Sequence, residues 1–208
     1  MSTCQGVSIT RMPSPPRQRL LDAPAPTLCL DFANTRFWRG LAVPTETLPD
    51  FAALLQWLNT AGALDAESAA ALRALVPAAA QALFDAALHT RELLYRLFSG
   101  AGVEIPALAA LLATTPARAQ WVYDSPQHAG WRVPMRSASV GEVLAPVLWS
   151  AADLMLAASR TRLRCCDNPQ CRWLFIDDSR TGTRRWCSMS ACGNRAKARR
   201  HAQRQRAA

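Results

Sequence analysis

Two stretches decide how this chain is read: Cys166-Asp-Asn-Pro-Gln-Cys171 and Cys187-Ser-Met-Ser-Ala-Cys192. Each holds a cysteine pair at x4 spacing, and fifteen residues separate the pairs. A zinc ion takes four thiolates in a tetrahedron at about 2.3 Å. Two short pairs, each on a tight turn, bring four sulfurs round one ion, while the segment between them leaves and returns as a hairpin or loop. Asp167-Asn168-Pro169 supplies turn chemistry inside the first pair, and Gly193 is suited to a positive φ just after the second. Cys165 competes with Cys166 as the first ligand, at x5 spacing; the matched x4 pairs favour Cys166. Four cysteines also hold iron–sulfur clusters, but surroundings rich in Trp and Arg suit a binding module better than an electron carrier. No histidine or open position accompanies the quartet. The expected site is therefore one structural Zn2+ held by Cys166, Cys171, Cys187 and Cys192. So small a segment has little core of its own, and metal binding is expected to supply most of its folding free energy, about 10 kcal/mol or more.

The remaining cysteines and the charge agree with this division. Five of the seven cysteines fall in the last 44 residues, and an odd, clustered set argues for metal rather than a disulfide framework. From Arg160 onward there are thirteen of the 24 Arg/Lys and three of the 15 acids, a balance of +10; the rest holds 11 bases against 12 acids. The whole net charge of +9 thus resides in the C-terminal quarter. A block of this kind signals a polyanion partner or a solvated tail. After Gly193 the run Asn-Arg-Ala-Lys-Ala-Arg-Arg-His-Ala-Gln-Arg-Gln-Arg is built of helix formers with no apolar stripe. A basic helix anchored at its start by metal is suited to a DNA major groove. The candidate nucleic-acid contacts are Arg184, Arg185, Arg195, Lys197, Arg199, Arg200 and Arg204. Trp173 and Trp186 either stack on bases or pack in the small metal core, the second being commoner. Asp177 is expected to order the loop by bonding backbone or Arg184.

The body before the quartet reads as mainly α with a small β-hairpin, an α+β domain. The run Thr27–Thr35 is a short strand or the first turns of a helix; periodicity leaves both open. Leu41–Pro49 reads as a loop. Helices are expected from Pro49 to Gly62, from Asp65 to Pro77, over 78–98, over 106–113 and over 143–160. Trp121-Val-Tyr and Trp131-Arg-Val flank a polar turn with Pro126 and Gly130 and read as the hairpin. Asp31, Asn34 and Arg36, beside Phe32, Phe37 and Trp38, form a candidate ligand pocket; such residues more often cap a helix and fix a turn. There is no Ser/His/Asp order and no glycine-rich phosphate loop, so catalysis is not expected. No apolar run reaches the roughly 20 residues of a membrane span. The first stretch lacks a continuous apolar segment, so the chain is expected to be cytoplasmic. The expected organisation is a flexible arm over 1–24, a helical body over 25–160 and a zinc finger with its basic tail over 161–208.

Cys192-Gly193-Asn194-Arg195, preceded by Arg184-Arg185-Trp186-Cys187-Ser188-Met189 and by Trp173-Leu174-Phe175-Ile176-Asp177, resembles the CGNR zinc finger family. Leu30-Asp31-Phe32-Ala33-Asn34-Thr35 is similar to the start of the ABATE domain that precedes this finger in bacterial proteins. The resemblance implies a regulator of transcription, and it implies the same four cysteines as zinc ligands. The expected function is zinc-dependent DNA binding through the basic helix, the body sensing a small-molecule effector or forming a homodimer. The alternatives are a finger that binds an acidic protein surface and an RNA-binding module. One finger has a small footprint, which favours a dimer.

Overall fold

The computed structural model describes residues 27–101, 104–118, 121–125, 128–131, 133 and 135–207. The arm expected over 1–24 and the hairpin turn at Pro126 lie outside them. The ambiguous first run is a helix, α1 (Leu28–Ala33). Six residues are too few for a helix to stand alone, and packing decides the conformation: Leu28, Cys29, Leu30, Phe32 and Ala33 are all buried. The helix lies against α4 (Pro77–Arg96) and α7 (Ala145–Leu156), with the Cys29 N–H donating to Ser150 Oγ at 3.1 Å.

Short caps and prolines set the other helices. Asp50 caps α2 (Phe51–Thr60) by accepting from the Ala53 N–H, and Asp65 caps α3 (Ala66–Arg73) by accepting from the Ser68 N–H. Pro77 stands in the first turn of the 20-residue α4, where its missing N–H costs nothing. A wide turn, Leu97–Ala101, closes it, with Gly100 at φ 107°. α5 (Ile105–Thr114) follows. The expected helix over 143–160 is three pieces. α6 (Val140–Val143) ends at Leu144, α7 restarts with Pro146 in its first turn, and Ala157 turns extended before a 3-10 turn over Ala158–Arg162. Pro146 has no N–H to continue the α6 ladder, which accounts for the break.

Among the described residues the strands form three antiparallel pairs. β1 (Arg36–Phe37) pairs with β2 (Thr45–Glu46), inside the stretch read as a loop. β3 (Trp121–Ser125) pairs with β4 (His128–Trp131) as the expected hairpin, but the second strand begins at His128 and takes in Gly130, which the sequence reading put in the turn; a bulge lies between Tyr123 and Ser125. β5 (Leu163–Cys165) pairs with β6 (Leu174–Ile176) across the first cysteine turn. The basic tail is helical, α8 (Asn194–Ala207).

The β5–β6 ribbon is not a separate module on a linker. Leu174 is 1% exposed within the main core, and Leu163, Cys165 and Ile176 pack against it. Asn34 clasps the ribbon like an extra strand: its Nδ2 donates to Leu174 O at 2.9 Å and its Oδ1 accepts from Leu174 N at 3.0 Å. Tyr95 Oη donates to Arg172 O at 2.8 Å. Gly40 N donates to Gln170 O at 3.1 Å. A Cβ on Gly40 would stand 1.7 Å from Pro169 O, so only glycine lets the body and the cysteine turn meet.

Behind this seam lies a charged cluster. Arg91, 2% exposed, holds Glu46 with two bonds of 2.6 and 2.7 Å and reaches Glu92 at 3.1 Å. Arg39 grips the other side of Glu92 at 2.6 Å and lies 3.7 Å over the Tyr95 ring. Burial pushes the Glu46 carboxyl up, but its bonds from Arg91 and the Leu48 N–H outweigh that and leave it below the usual carboxylate range.

Two outcomes follow from these contacts. Gly40→Ala should force the cysteine turn off the body and lower stability by about 1–3 kcal/mol, read as a fall in the melting temperature; an unchanged melt would refute the close approach. Glu46 has a depressed folded value, so its contribution is complete above the unfolded pKa of about 4.3 and is lost as pH falls through the folded one. Glu46→Gln should therefore destabilise at pH 7 and flatten the acid limb of a stability–pH curve.

Candidate metal centre

Each ligand is delivered by a different local device. Cys166 follows directly on β5, and its N–H donates to Trp173 O at 2.8 Å, extending the ribbon by one rung. Cys171 closes the first turn by donating its N–H to Asn168 O at 2.9 Å. Cys192 lies on the wide turn Met189–Gly193, which Ser188 caps by accepting from the Ala191 N–H, and Cys187 directly precedes that cap. Gly193 is not at positive φ. A Cβ there would lie 2.7 Å from Sδ of the exposed Met189 side chain, which can swing aside. The loop between the pairs is ordered by Asp177, which is fully buried and accepts from the Ser179 N–H, the Ser179 hydroxyl and the Arg184 N–H at 3.0, 2.6 and 2.8 Å.

The sulfurs of Cys166, Cys171, Cys187 and Cys192 all lie within 4.8 Å of one another. Cys171 and Cys187 are 3.7 Å apart, and Cys187 and Cys192 3.8 Å. A tetrahedron with Zn–S of about 2.3 Å has sulfurs about 3.8 Å apart. The donor set therefore fits one structural Zn2+, with four soft thiolates and no position left for water. Cys165 is not among them. On a strand neighbouring side chains point to opposite faces, and Cys165 packs against the body's core, its Sγ 3.5 Å from Arg172 O in the finger. Among the four thiols, the hydrogen bond with Cys187 pulls Cys171 down to about 5, whereas burial pushes Cys166 up to about 11. Cys187, bound to the Cys171 sulfur, is pushed up strongly.

Phe175 is buried with the sulfurs, and Trp38, Trp173 and Trp186 pack round them. Both finger tryptophans thus serve the metal core, and Trp38 comes from the body. Asn168, 1% exposed, donates from Nδ2 to Cys192 Sγ at 3.4 Å.

The predicted nucleic-acid contacts divide sharply. Arg184 donates to the Trp186 and Cys187 carbonyls, pairs with Asp178 at 2.9 Å and lies 4.8 Å over the Phe175 ring. It braces the second cysteine turn. Arg185 pairs with Asp167 at 2.6 Å and stacks on Trp186. Arg195 stacks on Trp38 at 4.5 Å, and Arg199 donates to Asn168 Oδ1 at 3.2 Å. Lys197, Arg200 and Arg204 are exposed and hold no ion pair among the described residues. The candidate ligand residues do not share one recess either. Asn34 has its amide committed to Leu174, Asp31 is exposed beside Thr27, and Arg36 lies 3.8 Å from Glu92. A recess among the described residues is lined by Leu64, Asp65, Ser68, Met135 and Glu142, among others, and by none of the three.

Sequence reasoning passes over Trp38, Gly40, Tyr95 and the amide of Asn168 as parts of the site. Asn168 reads locally as a turn residue, and nothing near Trp38 or Tyr95 in sequence points to cysteines more than seventy positions away.

Comparison with known proteins adds two matches. A family model described as the CGNR zinc finger covers residues 162–205. The ABATE model, described as a putative stress-induced transcription regulator, covers residues 27–158. Among curated proteins none matches the chain.

Metal content separates the cysteines. Cys165→Ser should keep one zinc per chain, whereas Cys166→Ser and Cys171→Ser should lose it. The losing variants should also melt at lower temperature, because Leu174 and its neighbours belong to the body's core. Thiolates must be formed for binding, so zinc should be released as pH falls; retention of zinc by Cys166→Ser would overturn the assignment.

Proposed function

We infer the function from one premise: the chain belongs to the ABATE family, and its C-terminal part is a CGNR zinc finger. The reading is a zinc-dependent DNA-binding regulator of transcription acting in the cytoplasm. In it, residues 25–160 form the sensing or dimerising body and 161–208 the finger and its contact helix. A single finger covers few base pairs, so the reading includes a homodimer and leaves the effector to the body.

One observation carries it, the two-faced character of α8. At 3.6 residues per turn, Lys197, Arg200 and Arg204 fall within a stripe of about 60°. Arg195 and Arg199 lie about 40° apart on the opposite side, which is the side turned to Trp38 and Asn168. The helix therefore presents three unpaired cations outward from a fixed seat. A rigid helix end with cations on one face suits the phosphates flanking a duplex groove. The tryptophans that would stack on single-stranded bases are packed against the sulfurs, which favours duplex DNA over RNA.

The cation count changes the expected salt dependence. Six or so phosphate contacts, the number the sequence suggests, predict a slope near −5 in log affinity against log salt. Three outward cations predict about −3. Zinc-loaded protein should bind random duplex DNA with that slope, and a chelator should abolish binding. Replacing Lys197, Arg200 and Arg204 together by Ala should bring the slope close to zero without loss of zinc. Binding indifferent to salt or to the chelator would sink the reading; binding to an acidic protein instead of DNA would replace it.

A further inference from the structure

A zinc ion with four thiolates carries a formal charge of roughly −2. Buried charge requires hydrogen bonds and counter-charge. The apolar side chains packed round the sulfurs are Phe175, Trp38, Trp173 and Trp186, which offer little of either. Backbone N–H groups of Asn168 and Cys187 serve Cys166 and that of Trp173 serves Cys171, and the buried Asn168 side chain, 1% exposed, adds a donor to Cys192. Its amide is fully oriented. Nδ2 donates to Cys192 Sγ at 3.4 Å, while Oδ1 accepts from Arg199 at 3.2 Å and from the Gln170 N–H at 3.3 Å. The Asn168 backbone carbonyl meanwhile accepts from Cys171 N at 2.9 Å and from Arg172 N at 3.2 Å.

We propose that Arg199 is a positioning residue of the zinc site, acting through the Asn168 amide on the Cys192 thiolate, so that metal occupancy and the seating of α8 are coupled. Three effects run along this chain. The guanidinium polarises the amide and strengthens its N–H···S bond. It places positive charge one residue behind an anionic metal centre. It also ties the second turn of α8 to the first cysteine turn, some thirty residues earlier in sequence. Loss of metal removes the ion that fixes the Cys192 sulfur and slackens the same chain from its other end. Part of the basic excess is in this account internal counter-charge. The proposal needs only the metal, not nucleic acid, so it stands or falls apart from the DNA reading.

Full-length protein loaded with zinc or with Co2+ tests it. Outer-shell partners of metal ligands are worth about 10–100-fold in affinity. Arg199→Ala should weaken zinc at least about tenfold in competition with a chromophoric chelator. Arg180→Ala, which removes the same charge from an exposed finger loop, should change it less than about twofold. The sulfur-to-cobalt charge-transfer band should move to lower energy in both Arg199→Ala and Asn168→Ala, because each raises the energy of a thiolate lone pair. The double variant should lose clearly less affinity than the sum of the two single losses, since both act on one shared bond. If Asn168→Ala does not fold, the band in Arg199→Ala and its partial recovery in Arg199→Lys decide. Equal affinities for the Arg199→Ala and Arg180→Ala proteins, an unmoved band, or simple additivity would overturn the proposal.

Discussion

Four cysteine sulfurs within 4.8 Å of one another form the constraint on which the C-terminal third depends. As thiolates they repel, and as thiols they make only weak bonds, so the arrangement is stable only round a cation. Everything near them is arranged to meet that demand. The β5–β6 ribbon presents Cys166, the Asn168 carbonyl closes the turn to Cys171, and Asp177 folds the intervening loop so that Cys187 returns. α8 leaves the second turn directly, so its direction is set by Cys192.

Magnitudes separate what the metal does from what the body does. The seam between them consists of the two Asn34 bonds, those of Gly40 and Tyr95, and the burial of Leu174. At about 1 kcal/mol net per hydrogen bond and about 2 kcal/mol for a buried leucine, these contribute about 6 kcal/mol. Structural zinc contributes about 10–16 kcal/mol. The seam alone cannot hold four sulfurs together once the metal is gone, but it suffices to fix how a metal-loaded finger is oriented on the body. Folding of the finger therefore belongs to zinc, and its orientation to Asn34, Gly40 and Trp38.

What could be read from the sequence follows from distance along the chain. The quartet was legible because its ligands lie in two short repeats whose spacing the metal dictates. The helix starts near Pro49 and at Asp65 and the β3–β4 hairpin were legible because their signals lie within a few residues. Asn34 was not. Its place beside Asp31 and Arg36 suggested a ligand, whereas its partner is Leu174, 140 positions on. α1 stayed ambiguous for a related reason: a buried apolar run of six has no periodicity, and its neighbours α4 and α7 decide. The break at Leu144 was readable from Pro146 but was hidden by the strong apolar pattern on both sides.

The tail shows why a charge count is a poor guide to a binding surface. Arg184, Arg195 and Arg199 look identical in sequence to Arg200 and Arg204, yet the first three lie over or against Phe175, Trp38 and Asn168. Guanidinium is suited to this because it is weakly hydrated, planar and always charged, so it can stack on a ring and still donate in its own plane. A metal centre of roughly −2 charge in an aromatic shell calls for such cations nearby. The same residue type thus serves two unrelated ends on one helix, and only the phase of the helix distinguishes them. A turn of 3.6 residues puts Arg195 and Arg199 on the seated side and Lys197, Arg200 and Arg204 on the free one. Insertion of a single uncharged residue after Gly193 would rotate both sets by about 100° relative to the metal, turning Arg195 and Arg199 off their seat while leaving the net charge unchanged.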